Sequence, residues 1–398
     1  MQLTAFTKDI KNINSIDFLN REHADKVLAF HKSFPMYKET PLVELKEMAA
    51  LLGIKNFFVK DESYRFGLNA FKVLGGSFAI GSYIAKKLGM DISELSFEKM
   101  ISPEIKGKLG SITFVTATDG NHGRGVAWTA RQLGQKAVVY MPKGSSKERF
   151  ENIKAEGADV TITDLNYDDA VRLANSHADE YGWVMVQDTS WKGYQDIPKW
   201  IIQGYGTMAL EAYKQLPEKP THIFIQAGVG ALAGAVTGFF ANVCKGKEKP
   251  IVTIVEPDTA ACIFDTAKAD DGRLHFVGGS MNTMMAGLAC GEPCDIGWKV
   301  LAGYADFAIA CADNVSAKGM RALGAPLAGD KRIISGESGA APSGAVMELL
   351  MKPEYAQLCG RIGLNQNSVV LCFSTEGATD KKNYQSIVWD GKEASCTE

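Results

Sequence analysis

Features that define several large classes of protein are missing from this sequence. No apolar run reaches membrane-spanning length, and the N-terminus has no basic segment followed by an apolar one. We therefore expect a cytoplasmic protein rather than a membrane-bound or exported one. The formal net charge is only -3, so nothing indicates a basic surface for nucleic acid. Neither a membrane nor a nucleic acid is expected as a partner.

Cysteines with the spacing of metal ligands are also missing. The eight cysteines are scattered, without a Cys-x-x-Cys pair. Cys290 and Cys294 lie close together, but their neighbourhood supplies no further ligands, so we predict no metal site. In a chain of this length we expect mostly reduced, buried thiols. The sequence leaves open whether any of Cys262, Cys290 and Cys294 form a disulfide.

Glycine is plentiful, and strand and helix patterns alternate. The 40 glycines among 398 residues predict many tight turns and backbone-lined sites. Short apolar strands alternate with helical segments over residues 111–187, and a second such series begins at residue 222. This alternation predicts parallel sheets with right-handed crossovers. We therefore predict an α/β fold of two three-layer lobes with mostly parallel sheets, and a ligand cleft between the lobes.

One lysine has an unusual setting. Lys72 follows Phe71 and precedes Gly75-Gly76, at the start of a buried helical pattern that Asn69 could cap. Burial and the helix dipole both disfavour a cation there, which favours a nucleophilic amine suited to Schiff-base chemistry. The alternative is a surface lysine whose stem covers apolar neighbours, and this stretch alone favours that alternative.

A glycine-rich turn follows the predicted strand 222–226 and opens a helix. Small residues and free backbone N–H groups at a helix start form a phosphate cradle, and the absence of lysine excludes an NTP-type loop. Gly228, Gly230 and Ala233 also fit a dinucleotide-binding spacing, with Glu256 as the ribose-binding acid, so a nicotinamide oxidoreductase is an alternative. The cradle residues are Gly228, Val229, Gly230, Ala231 and Leu232.

Polar residues follow three other predicted strands, at the strand ends where α/β proteins bind ligands. Carboxylates there offer ionisable groups, and an amide and hydroxyls offer hydrogen bonds. The ordinary alternatives are a carboxylate that caps the next helix and hydroxyl residues in a plain turn. The residues are Asp119 and Asn121 after strand 112–116, Asp188 after strand 184–187, and Ser374 and Thr375 after strand 369–373.

Taken in this order, these segments resemble the pyridoxal-phosphate enzymes of the tryptophan-synthase-β and threonine-dehydratase fold, over nearly the whole chain. The resemblance implies that Lys72, preceded by Phe71, holds pyridoxal 5'-phosphate as a Schiff base and moves the substrate's α-proton. It also implies that Asn121 bonds the ring hydroxyl. Residues 228–232 would bind the phosphate through backbone N–H groups.

The same resemblance extends to the ring nitrogen and the domains. Thr375, or failing it Ser374, would face the nitrogen as a neutral hydroxyl, which leaves the ring a weaker electron sink than an aspartate would. Residues 1–90 and 188–398 would form a large cofactor-binding domain, and residues 91–187 a small α/β domain. The resemblance also implies a homodimer.

The sequence departs from the dehydratases in two places. Asp119 stands where they usually have serine before Gly-Asn-His, and Ala70 stands where they usually have serine before Phe-Lys. A closer resemblance is to the family members that release ammonia from a diamino acid. It covers residues 65–72, 118–125, 286–293 and 334–340.

The closer resemblance implies a specific reaction. The chain would convert D- and L-2,3-diaminopropionate to pyruvate and ammonia by α,β-elimination, with D-serine as a further small substrate. Lys72 would reach one face of the substrate and Asp119 the other, and Asp188 would be a second acid near the substrate's amine. The alternatives are a serine or threonine dehydratase of the same fold and a non-catalytic amino-acid-binding module.

Overall fold

The computed structural model describes residues 1–8, 14–118 and 120–394. Its strands form a seven-stranded and a four-stranded sheet. The strands are β1 (Gln2–Ala5), β2 (Leu42–Glu44), β3 (Asn56–Asp61), β4 (Thr113–Ala117), β5 (Lys136–Met141), β6 (Asp159–Ile162), β7 (Val184–Met185), β8 (His222–Gln226), β9 (Ile251–Pro257), β10 (Phe307–Cys311) and β11 (Val369–Ser374).

Helices connect these strands. They are α1 (Arg21–Lys32), α2 (Lys46–Leu52), α3 (Val73–Leu88), α4 (Phe97–Met100), α5 (Pro103–Leu109), α6 (Asn121–Gln132), α7 (Lys147–Ala155), α8 (Tyr167–Tyr181), α9 (Asp196–Gln215), α10 (Ala231–Val243), α11 (Cys262–Ala269), α12 (Asp295–Tyr304), α13 (Asp313–Gly324), α14 (Glu337–Met351), α15 (Ala356–Ile362) and α16 (Lys381–Val388). Within the described ranges, no helix is both long and apolar enough to cross a membrane.

Both sheets are mostly parallel. The large sheet has the order β1-β10-β9-β8-β11-β3-β2, and the small one the order β6-β5-β4-β7. Antiparallel pairing occurs at the edges of the large sheet, where β1 pairs with β10 and β2 with β3. The predicted α/β fold with mostly parallel sheets is confirmed. The small sheet uses strands from residues 113–185, and the domain bounds given above stay a prediction.

Helices cover both faces of the large sheet. Ile223 and Ile225 of β8 belong to the apolar cluster that includes α9 and α10, whereas Phe224 belongs to the cluster that includes α14. Successive side chains of a strand point to opposite faces, so a strand between two helical layers is apolar at every position. The sheet is therefore the middle of three layers, and its strand ends supply the ligand cleft.

Two local sequence patterns predict structure that is not observed. Residues 43–52 predict a single helix, but α2 begins only at Lys46, because Val43 pairs with Val59 in the sheet. The polar composition of residues 89–110 predicts a surface insertion, but these residues contain α4 and α5. These helices contribute buried side chains to the core, namely Phe97, Met100, Ile105 and Leu109.

Asn69 does not cap the helix that follows Lys72. Lys72 itself occupies the N-cap position of α3, and Asn69 has a φ of 60°. The carbonyl of Asn69 instead accepts a hydrogen bond from the backbone of Gly377 at 3.0 Å. The segment before Lys72 is thus held by the chain beyond β11 rather than by its own helix.

Four charged side chains are buried together, three from the segment before Lys72 and one from α9. Arg65 Nε lies 2.8 Å from Glu62 Oε2, and Arg65 Nη2 lies 2.7 Å from Glu211 Oε2. Lys60 Nζ approaches the same Glu211 oxygen at 2.8 Å. Burial acts to raise the pKa of Glu211, but Arg65 and Lys60 outweigh it and hold that pKa below its ordinary value. Each charge depends on the others because none reaches water.

We expect Glu211→Ala to lower the free energy of unfolding by about 3–5 kcal/mol, because it leaves two buried cations without their shared carboxylate. Urea unfolding followed by circular dichroism measures the loss. Glu180→Ala, at an exposed position of α8, is the control and should change stability by no more than about 0.5 kcal/mol. Equal midpoints for the two variants would contradict a structural role for the buried cluster.

Candidate active site

A cavity of about 610 Å³ opens where the C-terminal ends of strands from both sheets meet. That volume suits a cofactor-sized ligand. The cavity collects most of the predicted site residues, although Ser374 is not among its walls and Asp119 lies outside the described residues. Those in its lining are Phe71, Lys72, Asn121, Asp188, Gly228, Val229, Gly230, Ala231, Leu232 and Thr375.

Lys72 makes a close ion pair inside this cavity. Its Nζ donates a hydrogen bond to Asp188 Oδ2 at 2.5 Å, and the Asp188 side chain is only 3% exposed. Burial acts to raise the pKa of Asp188, but the nearby Lys72 and His122 outweigh it and lower the pKa to about 2. Lys72 is therefore not a surface lysine spread over apolar neighbours, and Asp188 is an ionised partner that aims its amine.

Phe71 fixes the backbone next to Lys72. Its backbone N–H donates to the carbonyl of Thr375 at 3.0 Å, and its ring lies 4.7 Å from that of Tyr205. The main chain before Lys72 is thus tied to the end of β11, and the side chain of Phe71 is packed against α9. The backbone that carries the amine is fixed by both contacts.

The glycine-rich turn between β8 and α10 is built as a cradle. Gly230 has a φ of 90°, and no described side chain caps the start of α10. A Cβ at Gly228 would stand 3.1 Å from Cys290 Sγ, so only glycine leaves the cradle open. Unpaired N–H groups at a helix start favour an anion. The turn lines the cavity and fits a phosphate group.

Asn121 is held by a residue that sequence reasoning missed. The amide Nδ2 of Asn121 donates to Glu376 Oε2 at 2.5 Å, and Glu376 Oε1 accepts from the backbone N–H of Ser338 at 3.1 Å. Glu376 is 2% exposed and lines the cavity. In the sequence, the only indication of its role is its position directly after Thr375, at the end of a strand.

Two adjacent hydroxyl residues have different settings. Thr375 Oγ1 accepts from Gln226 Nε2 at 2.7 Å and lines the cavity, so its own proton can be donated to a ligand. Ser374 is fully buried and donates to Ser335 Oγ at 2.8 Å, outside the cavity lining. Because successive side chains of an extended chain alternate in direction, one of the two had to point away.

Glu256 does not have the role considered for it in a dinucleotide site. It is fully buried, and its two carboxyl oxygens accept from the backbone N–H groups of Ile263 at 2.9 Å and Phe264 at 2.7 Å. The residue therefore caps the start of α11 and is not available to a ribose. The alternative of a nicotinamide oxidoreductase is therefore left without a ribose-binding acid at this position.

No disulfide joins the described cysteines to one another, and Cys396 lies outside the described residues. Cys262, Cys290 and Cys294 are buried without a disulfide between them. Nor does any group of three or more described His, Cys, Asp and Glu side chains have an arrangement that could hold a metal ion.

Comparison with known proteins places this site in a family. A family model described as "Pyridoxal-phosphate dependent enzyme" matches residues 34–362. The chain belongs to this family. It is 52% identical over 386 residues to the diaminopropionate ammonia-lyase of Salmonella typhimurium, with 96% of this chain and 95% of that protein covered.

Solved structures agree with the family assignment. The holo diaminopropionate ammonia-lyase of Escherichia coli superposes with a TM-score of 0.91 at 46% identity, covering 99% of this chain and 98% of that chain. The complex of the same enzyme with D-serine gives a TM-score of 0.91 at 45% identity, with the same coverage. The cofactor of this family, pyridoxal phosphate, fits the open cradle and the lysine beside it.

We expect Gly230→Ala to weaken pyridoxal-phosphate binding at least about tenfold, because a side chain at a φ of 90° distorts the cradle N–H groups. The dissociation constant is measured from cofactor absorbance after dialysis. Gly246→Ala is a matched control, since Gly246 has a φ of 59° and open space around its Cβ position, and it lies beyond the opposite end of α10 from the cradle. Equal affinities in the two variants would show that the cradle does not bind the cofactor.

Proposed function

We propose that this protein converts D- and L-2,3-diaminopropionate to pyruvate and ammonia by α,β-elimination. The observation that carries the proposal is the 2.5 Å pair of Lys72 and Asp188 in a cavity whose wall includes an uncapped helix start. The names of the relatives that cover nearly the whole chain support the same substrate. Water completes the balance, since hydrolysis of the eliminated product releases the second ammonia.

Pyridoxal phosphate, when bound, supplies an electron sink for the electron pair left after the α-proton is removed. We propose that Lys72 holds the cofactor covalently and that its released Nζ takes the α-proton from one face of the substrate. Asp188 keeps that amine oriented and accepts its hydrogen bond. Thr375 would donate its hydroxyl proton to the ring nitrogen of the bound cofactor, and Asn121 would bond the ring oxygen. Glu376 holds the amide of Asn121.

Asp119 is proposed as the acid–base group for the opposite face of the substrate. The support is its place in the chain, because Thr118 and Asn121 on either side both line the cavity. Two stereoisomers present their α-protons to opposite faces, so one base cannot serve both equally. Removal of an acid–base group costs about 10²- to 10⁴-fold in rate.

The cavity also favours a substrate with a second ammonium group over one with a hydroxyl. Glu337 and Glu376 both line it and are almost fully buried. Burial and the charge of Glu376 raise the pKa of Glu337. A substrate ammonium group near these two carboxylates would reduce their repulsion. Water elimination from serine or threonine remains the second candidate, supported by the complex of the Escherichia coli relative with D-serine.

A cytoplasmic location and a homodimer belong to the same proposal. The lack of disulfides among the described cysteines supports a reducing compartment. The dimer is supported by the family resemblance, and sedimentation at several concentrations tests it. We also keep the proposed large domain of residues 1–90 and 188–398 and small domain of residues 91–187.

Pyruvate release tests the function directly. We expect turnover of both isomers of 2,3-diaminopropionate, slower turnover of D-serine, and at most weak turnover of L-threonine, because only the first two carry the additional ammonium. Derivatisation with 2,4-dinitrophenylhydrazine measures the 2-oxo acid released, which is pyruvate from diaminopropionate and serine and 2-oxobutyrate from L-threonine. Faster release of 2-oxobutyrate from L-threonine than of pyruvate from either diaminopropionate isomer would replace the proposal with the dehydratase alternative.

Variants of the two proposed bases should differ in which stereoisomer they fail to turn over. Asp119→Asn should lower kcat on the D-isomer by about 10²-fold or more and leave the L-isomer much less affected, since the L-isomer uses Lys72. Lys72→Ala should abolish turnover of the L-isomer. Asp179→Asn, at an exposed position of α8, is the charge-matched control. Equal losses on both isomers in Asp119→Asn would refute the assignment of one base to each face.

A further inference from the structure

A second cavity, of about 640 Å³, adjoins the first through the phosphate cradle. Val229 lines both cavities. The other walls of the second cavity come from α8, from residues 189–195 and from residues 274–295. Its volume is within the range that small-molecule sites occupy, and the proposed reaction uses none of the other residues in its lining.

One carboxylate in this second cavity has no cation of its own. The carboxylate of Asp168, in the first turn of α8, accepts no hydrogen bond and forms no ion pair with any described residue. Burial and the neighbouring Glu292 raise its pKa to about 6. The nearby Arg172 is already engaged, because its Nη1 lies 2.8 Å from Asp169 Oδ1 and its Nη2 contacts Glu292.

Aromatic and aliphatic side chains line the same cavity as this carboxylate. Trp191 lies in the wall and stacks on Tyr194, with ring centroids 4.4 Å apart. Phe276 also lines the cavity and is 63% exposed, which is unusual for so large an apolar side chain. Val171 and Leu274 extend the apolar wall. Aromatic faces next to a carboxylate bind organic cations.

We propose that the second cavity binds a small organic ammonium ion with an apolar group, its charge against Asp168 and its apolar part against Trp191 and Phe276. A neutral or anionic ligand would leave Asp168 unmatched. The charge of Lys192 at the rim and the pair of Arg172 with Glu292 face the same space, and Asp295 adds a further negative charge. This site goes beyond the proposed reaction and does not depend on it.

The ligand would also act on the active cavity through the cradle. The carbonyl of Val229 accepts from the backbone N–H of Cys294 at 2.7 Å, and Pro293, next to it, lines the second cavity. A ligand packed against Val229 and Pro293 therefore presses on the turn that would hold the phosphate. Occupancy of the second cavity should change the KM of the substrate.

Titration calorimetry of the holoenzyme with benzyltrimethylammonium tests the site. This quaternary ion has no N–H and cannot condense with the cofactor, so it does not imitate a substrate amine. We expect saturable binding to one site, and binding at least about tenfold weaker for tetramethylammonium, which lacks the ring, and for benzyl alcohol, which lacks the charge. Pyruvate release with and without the probe measures the coupling, with an expected change in KM of about twofold or more.

Variants locate the binding. Asp168→Asn and Phe276→Ala should each weaken the probe at least about fivefold, whereas Glu180→Gln, an exposed position on the same helix, should bind like the wild type. Phe276 is largely exposed, so its removal tests the site without disturbing the core. Absence of saturable heat, or wild-type affinity in both Asp168→Asn and Phe276→Ala, would overturn the site. An unchanged KM at saturating probe would overturn the coupling, and neither result depends on which amino acid the enzyme turns over.

Discussion

The active cavity depends on how closely the start of α3 approaches the helices beside it. A Cβ at Gly125 of α6 would stand 2.8 Å from Val73 Cα, and a Cβ at Gly204 of α9 would stand 2.4 Å from the carbonyl oxygen of Leu74. Both distances are too short for any side chain. The backbone at the start of α3, next to Lys72, is thus in direct contact with two neighbouring helices. These contacts fix the position of Lys72 at the cavity.

This close packing also determines which side chain contacts the amine of Lys72. Asp188 follows β7 of the small sheet, whereas Lys72 precedes a helix joined to β3 of the large sheet. Their 2.5 Å contact therefore joins the two sheets as well as orienting the amine. A carboxylate that is 3% exposed remains ionised there because a cation is held within hydrogen-bond distance.

Much of this arrangement could be predicted from the sequence because each motif is local. A strand, a glycine turn and a helix start are adjacent in the chain, so the cradle at 228–232 and the parallel α/β fold follow from short-range patterns. Contacts between distant segments could not be predicted in this way. Glu376 holds Asn121 across 255 positions, and nothing near either residue in the chain indicates the other.

Two alternatives that the sequence left open depend on contacts of the same kind. Thr375 and Ser374 are chemically similar neighbours, and only the direction of the chain at the end of β11 decides which hydroxyl enters the cavity. Glu256 ends a strand, as a ribose-binding acid would, but the start of α11 lies within reach of its carboxylate. The side-chain direction decides the first case, and the nearest unsatisfied N–H groups decide the second. The spacing of residues in the sequence indicates neither of them.

The charges of the cavity connect the fold to the choice of substrate. Lys72 and Asp188 neutralise each other, and Arg149, whose Nη2 lies 3.6 Å from Glu337 Oε2, can balance one of the two remaining buried acids, Glu337 and Glu376. The described groups thus leave a surplus negative charge. Serine and threonine are electrically neutral zwitterions, whereas 2,3-diaminopropionate with both amines protonated carries a net positive charge. A diamino acid therefore enters with a charge that the folded cavity lacks, and that difference favours ammonia elimination over water elimination.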